Sequence, residues 1–255
     1  MAVDLVYLEE KDCGHSAWRI EAAEWTWVFH REGGAVAHLH DPDGDDWIAW
    51  SPKPGAEGAF RGLGNLVHVD LKTGYFHPGN TGTNGCHSEI VTAEPDRLQI
   101  RSRSADALWT CETTVRREGL CIRLTDTPGI PWWFLYEGTP GGVWEPATSQ
   151  WLRSDGEAGT LKERWHADLP DRSWVAFTDP VGTRSLALWQ EKGERRPDMY
   201  LPMSLMTVFG FGRYPDILDK YCRRVGQAYL AVPVDSAERE DIDRAVYRAV
   251  AAFDL

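Results

Sequence analysis

The segment RLQIRSRSADALWTCETTVRREGLCIRLTD, residues 97–126, contains three successive runs in which apolar and polar residues alternate. Leu98 and Ile100 share one face of the first run, and the two later runs alternate in the same way. Breaks at Ala105-Asp106 and Glu118-Gly119 separate the runs. Alternation with turn residues between the runs predicts an antiparallel meander of three strands.

Short runs rich in aromatic and β-branched residues occur on both sides of this meander, and turn residues separate them. They predict strands at 25–31, 35–40, 46–50, 173–179, 184–190 and 204–211. A β–α–β rhythm is absent from the sequence, so a parallel α/β sheet is not expected. We predict an all-β, antiparallel β-sandwich.

The C-terminal part changes character. Apolar residues recur at spacings of three and four in 215–230 and again from Ile242 to Phe253, which predicts two helices. We expect them to pack on the sandwich, with a homodimer contact through the last helix as the alternative. Residues 1–255 are predicted to form a single domain with a helical extension at about 214–255.

Composition excludes several classes of partner. The chain has 255 residues and a net charge of −12, which argues against nucleic acid and anionic membranes. Neither the first 18 residues nor any later run resembles a signal peptide or a membrane span, so a cytoplasmic location is expected. The five cysteines are widely spaced, with no CxxC pair, and indicate reduced thiols.

Polar residues and glycines concentrate in two segments, FRGLGNLVHVDLKTGYFHPGNTGTNGCHSE at 60–89 and WWFLYEGTPGG at 132–142. Loops held by a rigid sheet are where binding and catalysis concentrate. The chain also has 13 tryptophans, enough to supply flat apolar platforms for sugar rings besides core residues. Together these features indicate a carbohydrate site.

Four residues of these segments are candidate acid–base catalysts. His77 precedes Pro78 and Gly79, which would present its imidazole at a strand end, where it can exchange a proton near neutral pH. His87 and Glu89 are two apart and would share one face of a strand. Glu137 leaves a hydrophobic strand, where burial would raise its pKa toward neutrality.

A wider set of polar and aromatic residues is predicted to bind the substrate: Arg61, Asn65, Asn80, Trp132, Trp133, Tyr136, Trp144, Glu145 and Arg213. The arginines would grip a carboxylate if the sugar is a uronic acid. His38 and His40 could bind a metal from one face of a strand, but we place them on a convex, solvated face because Ala37 and Leu39 would point into the core. No metal and no cofactor are expected.

Several short motifs, in their order along the chain, resemble those of the galactose mutarotase-like superfamily. They are Glu32-Gly33-Gly34, Asp41-Pro42-Asp43-Gly44-Asp45-Asp46-Trp47, Phe60-Arg61-Gly62-Leu63-Gly64-Asn65 and Tyr75-Phe76-His77-Pro78-Gly79-Asn80. The resemblance implies a large antiparallel β-supersandwich whose concave face binds a sugar. It covers about the first half of the chain, and the second catalytic histidine of mutarotases has no clear counterpart in this sequence.

Three functions remain open from the sequence. The first is aldose mutarotation or epimerisation, with His77 or His87 as acid and Glu137 or Glu89 as base. The second is β-elimination on a uronate glycan, in which an arginine neutralises the carboxylate and His77 or Tyr136 removes the C5 proton. The third is a non-catalytic carbohydrate-binding protein. In each case the expected partner is a sugar or oligosaccharide, and segments 60–89 and 136–145 are expected to meet on one concave face.

Overall fold

The computed structural model describes residues 5–53, 57–68, 74–170, 172–191, 197–203, 205–213 and 220–255. Within these residues, twenty strands and one α-helix follow one another along the chain. They are β1 (Val6–Asp12), β2 (His15–Ala22), β3 (Trp25–His30), β4 (Ala35–His40), β5 (Gly62–Asn65), β6 (Val67–His68), β7 (Gly74–Tyr75), β8 (Cys86–Glu94), β9 (Arg97–Ser104), β10 (Thr110–Arg116), β11 (Gly119–Asp126), β12 (Phe134–Gly138), β13 (Gln150–Arg153), β14 (Ala158–Thr160), β15 (Trp165–Ala167), β16 (Trp174–Thr178), β17 (Ser185–Gln190), β18 (Asp198–Met203), β19 (Met206–Phe211), β20 (Ala228–Val234) and α1 (Arg239–Ala252).

The strands form two large antiparallel sheets. The first sheet has the order β1-β2-β3-β4-β5-β12-β19-β18-β15, and the second has the order β14-β13-β16-β17-β20-β11-β10-β9-β8. A short pair, β6 and β7, stands apart. The predicted meander at 97–126 is β9, β10 and β11, paired in sequence order. The predicted all-β, antiparallel sandwich is therefore confirmed.

The main core lies between the two sheets. Leu98 and Ile100 of the second sheet belong to the same buried cluster as Trp27 and Phe134 of the first. Aromatic rings cross the interface, as where Phe134 stacks on Tyr229 with 4.9 Å between ring centroids. Side chains alternate along a strand, so the neighbours of each inward-facing residue in the first sheet point away from the core. These neighbours form the outer face of the first sheet.

A second apolar layer covers the outer face of the second sheet. Ile242, Val246 and Ala249 of α1 are buried in one cluster with residues of β16, β17 and β20. The indole Nε1–H of Trp174 also donates to Asp243 of the helix at 2.7 Å. The helix therefore lies on the side of the second sheet that faces away from the first sheet.

Two local predictions are wrong in the described residues. Residues 220–227 are not helical and 228–230 begin strand β20, while 214–219 lie outside the described residues. β20 is buried on both faces, between the main core and α1, so its apolar residues do not alternate as in a half-exposed strand. Residues 46–50 do not form a strand: Asp46 forms an isolated bridge with His40, and its carboxylate accepts from the backbone N–H groups of Ile48 and Ala49, which turns the chain.

All five cysteines carry free thiols. Cys111, Cys121 and Cys222 are buried, and burial raises the pKa of Cys121 to about 11. Cys13 is exposed in the tight turn between β1 and β2, where its φ is 49°. In the part of the chain that the structure describes, no helix has both the length and the apolar character needed to cross a membrane.

Candidate functional site

Glu137 lies on the outer face of the first sheet. In β12, Phe134 and Tyr136 point into the main core, so Leu135 and Glu137 point the other way. Glu137 pairs with Gly62 of β5 on one side and Val208 of β19 on the other. The carboxyl group therefore sits in the middle of the sheet rather than at its rim.

Burial makes this carboxyl group a weaker acid than an ordinary glutamate side chain. It raises the pKa of Glu137 to about 7, although the nearby Arg213 charge and a hydrogen bond from Asn65 both act to lower it. That hydrogen bond runs from Asn65 Nδ2 to Glu137 Oε2 at 2.6 Å. A carboxyl group with this pKa can donate or accept a proton at neutral pH.

Arg213 provides a buried positive charge beside Glu137. Only 1% of its surface is exposed, and its guanidinium lies 5.6 Å from the ring centroid of Trp133. Gly210 makes room for this arginine, since a Cβ there would lie 3.0 Å from the arginine Cβ. The ammonium of Lys220 lies 5.1 Å from the same indole, so two cations flank Trp133.

The loop that carries His77 borders the same part of the sheet. A Cβ on Gly62 would lie 2.7 Å from Pro78 Cδ and 2.8 Å from Asn65 Oδ1, so Pro78 stands next to the partner of Glu137. The backbone N–H of Gly79 donates to His77 Nδ1 at 3.0 Å. That contact leaves the proton on Nε2, which lies 3.2 Å from the carbonyl oxygen of Phe60.

The predicted binding residues divide between the outer face and the core. Trp132 and Tyr136 lie in the main core, where the Tyr136 hydroxyl donates to the carbonyl of Trp47 at 2.7 Å. Neither can line a cleft on the outer face. Trp144 packs partly against the same core, and Glu145 is exposed.

Arg61 and Asn80 belong to the loops around the site. The guanidinium of Arg61 donates to the carbonyls of Ala49 and Leu205, at 3.2 and 2.8 Å, and so connects two segments distant in sequence. The backbone N–H of Asn80 donates to the carbonyl of His77 at 2.9 Å, which closes the turn around Pro78.

His87 and Glu89 share one face of β8, as their spacing predicts, but this strand is an edge of the second sheet. Both side chains are exposed, and they pair across the ladder with Arg103 and Arg101. The structure does not bring them together with Glu137, which belongs to the first sheet.

A cluster of four side chains that the sequence analysis did not assemble lies on the outer face of the first sheet. We call Asp12, His30, His38 and Asp46 the histidine cluster. Asp12 Oδ2 lies 2.8 Å from the Nε2 atom of His30 and 2.8 Å from that of His38. His38 Nδ1 donates to Asp46 Oδ2 at 2.6 Å, and His30 Nδ1 donates to the carbonyl of Pro78 at 2.9 Å.

Burial and the neighbouring charges set the acidities in the histidine cluster. Burial lowers the pKa of His30, against the effect of its hydrogen bonds. Burial also acts to lower the pKa of His38. The hydrogen bonds and negative charges of Asp46 and Asp12 have the larger effect, so the pKa of His38 is raised. Burial acts to raise the pKa of both carboxyl groups, and their histidine partners outweigh it and lower them.

Strand pairing explains why these side chains meet. In β3, Trp27 and Phe29 point into the main core, so His30 points outward. In β4, Leu39 points into the same core, so its neighbour His38 points outward. The alternation of WTWVFH and AVAHLH was the available signal. Asp12, however, reaches the cluster only because β1 pairs with β2 and β2 with β3.

Comparisons with known proteins identify the fold. No protein-family model matches the chain, and no curated protein sequence matches it. Among solved structures, HI1317 is 8% identical over 90% of this chain and 99% of its own, with a TM-score of 0.59. A galactose mutarotase related enzyme from Lactobacillus acidophilus is 8% identical over 87% of this chain and 98% of its own, with a TM-score of 0.51.

YidC from Thermotoga maritima is also similar, with 9% identity, a TM-score of 0.50 and coverage of 98% of this chain but 57% of its own.

The matches to HI1317 and to the galactose mutarotase related enzyme show that the fold is galactose mutarotase-like, and they confirm the predicted remote resemblance at the level of fold. Because one fold can host unrelated functions, the function has to be argued from the site.

Proposed function

We propose that this protein is a carbohydrate-active enzyme that converts a sugar by acid–base chemistry, in the manner of an aldose epimerase. The observation that supports this most directly is Glu137, a carboxyl group on the outer face of the first sheet whose pKa is raised to about 7. Perturbed carboxyl groups concentrate at catalytic sites because a catalyst works best with a pKa near the operating pH.

The proposed reaction opens and recloses the sugar ring. Glu137 takes the proton from the anomeric hydroxyl while an acid protonates the ring oxygen, and the bond between C1 and the ring oxygen breaks. Rotation about the C1–C2 bond followed by the reverse steps gives the other anomer. His77 is the proposed acid, because its loop borders the same part of the sheet and a protonated imidazole can supply a proton near neutral pH; its Nε2–H would have to leave the carbonyl of Phe60, 3.2 Å away, to reach the sugar.

Asn65 and Arg213 have supporting roles in this proposal. The amide of Asn65 fixes one oxygen of Glu137, which orients the other for the sugar. The positive charge of Arg213 keeps the carboxyl group from becoming too weak an acid to ionise at neutral pH.

The two alternatives have less support. For β-elimination, Tyr136 as base is disfavoured because its hydroxyl is buried in the core and bonded to Trp47. The guanidinium of Arg61 binds two backbone carbonyls, which leaves Arg213 as the arginine beside the carboxyl group. A non-catalytic binding protein has less support because perturbed carboxyl groups concentrate at catalytic sites.

The test is the rate at which pure anomers of a panel of aldoses equilibrate, followed by polarimetry or NMR. We expect Glu137→Gln to slow the catalysed rate by about 10²–10⁴-fold, the usual contribution of a general base. Glu240→Gln changes an exposed carboxylate of the same type on α1, which packs on the second sheet, and it should leave the rate unchanged. Equal rates for the wild type and the Glu137→Gln variant on every active sugar would refute the proposal.

A further inference from the structure

We propose that the histidine cluster binds a divalent first-row transition metal ion, with Asp12 Oδ2, His30 Nε2 and His38 Nε2 as its ligands. The proposal concerns a different group of side chains from Glu137 and goes beyond the proposed sugar chemistry. It rests on the geometry of the three ligand atoms, on the partners of each imidazole and on the access to the site.

The ligand atoms have the chemistry and spacing of a metal site. Two imidazoles and one carboxylate form a set that binds iron(II), zinc and similar ions. Asp12 Oδ2 lies 2.8 Å from the ligand nitrogen of each histidine, and all three atoms lie within 4.8 Å of one another. Ligand atoms at metal bonds of about 2.0–2.2 Å are roughly 3 Å apart, so small side-chain shifts suffice.

The remaining nitrogen of each imidazole has the partner that a metal-binding histidine needs. Such histidines usually donate their other N–H to a carboxylate or a backbone carbonyl, which fixes the tautomer and orients the ring. His38 Nδ1 donates to Asp46 and His30 Nδ1 donates to the carbonyl of Pro78. Both rings are therefore locked with Nε2 directed at the same carboxylate oxygen.

The site is open to small molecules on one side. A cavity of about 310 Å³ is lined by Asp12, His38, His40, Asp46 and Arg19, among others. Three protein ligands leave room for water or a substrate oxygen in the coordination sphere, as in catalytic metal sites.

A second group, His38, His40 and Asp46, also has ligand atoms close together. We favour the first group because Asp46 already anchors the turn that follows β4. Its Oδ1 accepts the backbone N–H groups of Ile48 and Ala49, at 3.1 and 2.9 Å. This carboxylate therefore suits the role of a fixed partner for His38 better than that of a metal ligand.

The test uses the full chain, stripped of metal with a chelator and titrated with Co²⁺, whose visible absorption reports coordination by nitrogen and oxygen. We expect one Co²⁺ per chain, displaced by Zn²⁺, and a higher Tm in the presence of metal. Asp12→Ala and His30→Ala should abolish the absorption band. Asp46→Asn should weaken binding by about 10–100-fold, as expected for a residue that orients a ligand.

His40→Ala is the matched control, since it removes a histidine from the same strand and leaves the three ligands in place. It should still bind one Co²⁺. Loss of binding in this variant, with retention in Asp12→Ala, would place the ion in the second group and overturn the proposal, as would the absence of binding by the wild type. Circular dichroism identifies variants that do not fold, and Asp12→Asn then serves as the milder replacement.

Metal binding and sugar conversion are separable by these variants. Glu137→Gln should bind Co²⁺ as the wild type does, whether or not it converts sugars. Failure of the sugar proposal therefore leaves this result standing, and the reverse also holds.

Discussion

At the scale of single residues, the acidity of Glu137 has a consequence for stability as well as for chemistry. Its folded-state pKa of about 7 lies above the ordinary value of 4.5. Below pH 4.5 the group is protonated whether the chain is folded or unfolded, and it has no effect. Between pH 4.5 and 7 the unfolded chain ionises first, so the free energy of unfolding falls as pH rises.

We therefore expect Glu137→Gln to gain stability relative to the wild type as pH rises from 5 to 8. The shift corresponds to about 3 kcal/mol, because each pKa unit is worth about 1.4 kcal/mol. Glutamine keeps an oxygen that can accept the hydrogen bond from Asn65. Urea denaturation of both proteins at the two pH values measures the effect, and a difference that does not change with pH would contradict it.

The sequence identifies some of these residues and misses others for a physical reason. Glu137 stands out because it follows a hydrophobic strand. In the aromatic run at 132–136, however, every residue is apolar, so periodicity cannot tell which side chains face the core. Trp132 and Tyr136 prove to face it. The histidine cluster depends on strand pairing, which no single segment of the sequence specifies.

At the scale of secondary-structure elements, α1 illustrates a helix stabilised by one apolar face. Its buried residues, Ile242, Ala245, Val246, Ala249 and Val250, recur at spacings of three and four, and they pack on the second sheet. Tyr247, on the opposite side, is 67% exposed. The predicted last helix is confirmed, and its apolar stripe is covered by the chain's own sheet.

Ile242→Ala should lower the free energy of unfolding by about 2–5 kcal/mol, because it leaves a cavity between α1 and the sheet. Tyr247→Ala is the control on the same helix and should change stability by less than about 0.5 kcal/mol. Chemical denaturation followed by circular dichroism compares them. Similar losses in both variants would show that the helix does not depend on this packing.

Alternation predicts the elements well where a strand has one apolar face, as in β9, β10 and β11. It fails for β20, where both faces are covered and the apolar residues form a continuous run. The predicted helix at 215–230 lies mostly before β20, and there the backbone makes long-range contacts instead. The backbone N–H of Tyr221 donates to the carbonyl of Gly212, and Cys222 forms a bridge with Trp132. Spacings of three and four in a short segment do not reveal such contacts.

At the scale of the whole molecule, the contact between the two sheets is rich in aromatic rings. Phe177 of the second sheet lies within 5.8 Å, centroid to centroid, of Tyr136, Tyr200 and Phe209 of the first. A ring at this position touches three strands of the opposite sheet. Its removal would leave a void that no neighbour on a rigid sheet can fill.

Phe177→Ala should therefore lower the free energy of unfolding by about 3–5 kcal/mol. Phe60→Ala removes the same side chain at a position that is 61% exposed, and it should have little effect on stability. Thermal unfolding by calorimetry provides the comparison. An equal shift in Tm for the two variants would count against a stabilising role for the aromatic contact between the sheets.

The arrangement of the thiols has a practical use in protein chemistry. Three of the five are buried, and burial raises the pKa of Cys86 to about 12, which leaves Cys13 as the exposed thiol. Burial and the charge of Asp12 raise the pKa of Cys13 as well, so labelling would be carried out at alkaline pH. Its turn lies one residue beyond Asp12, at the margin of the histidine cluster. A fluorophore or spin label attached there would provide a spectroscopic reporter of that region without prior removal of the native cysteines.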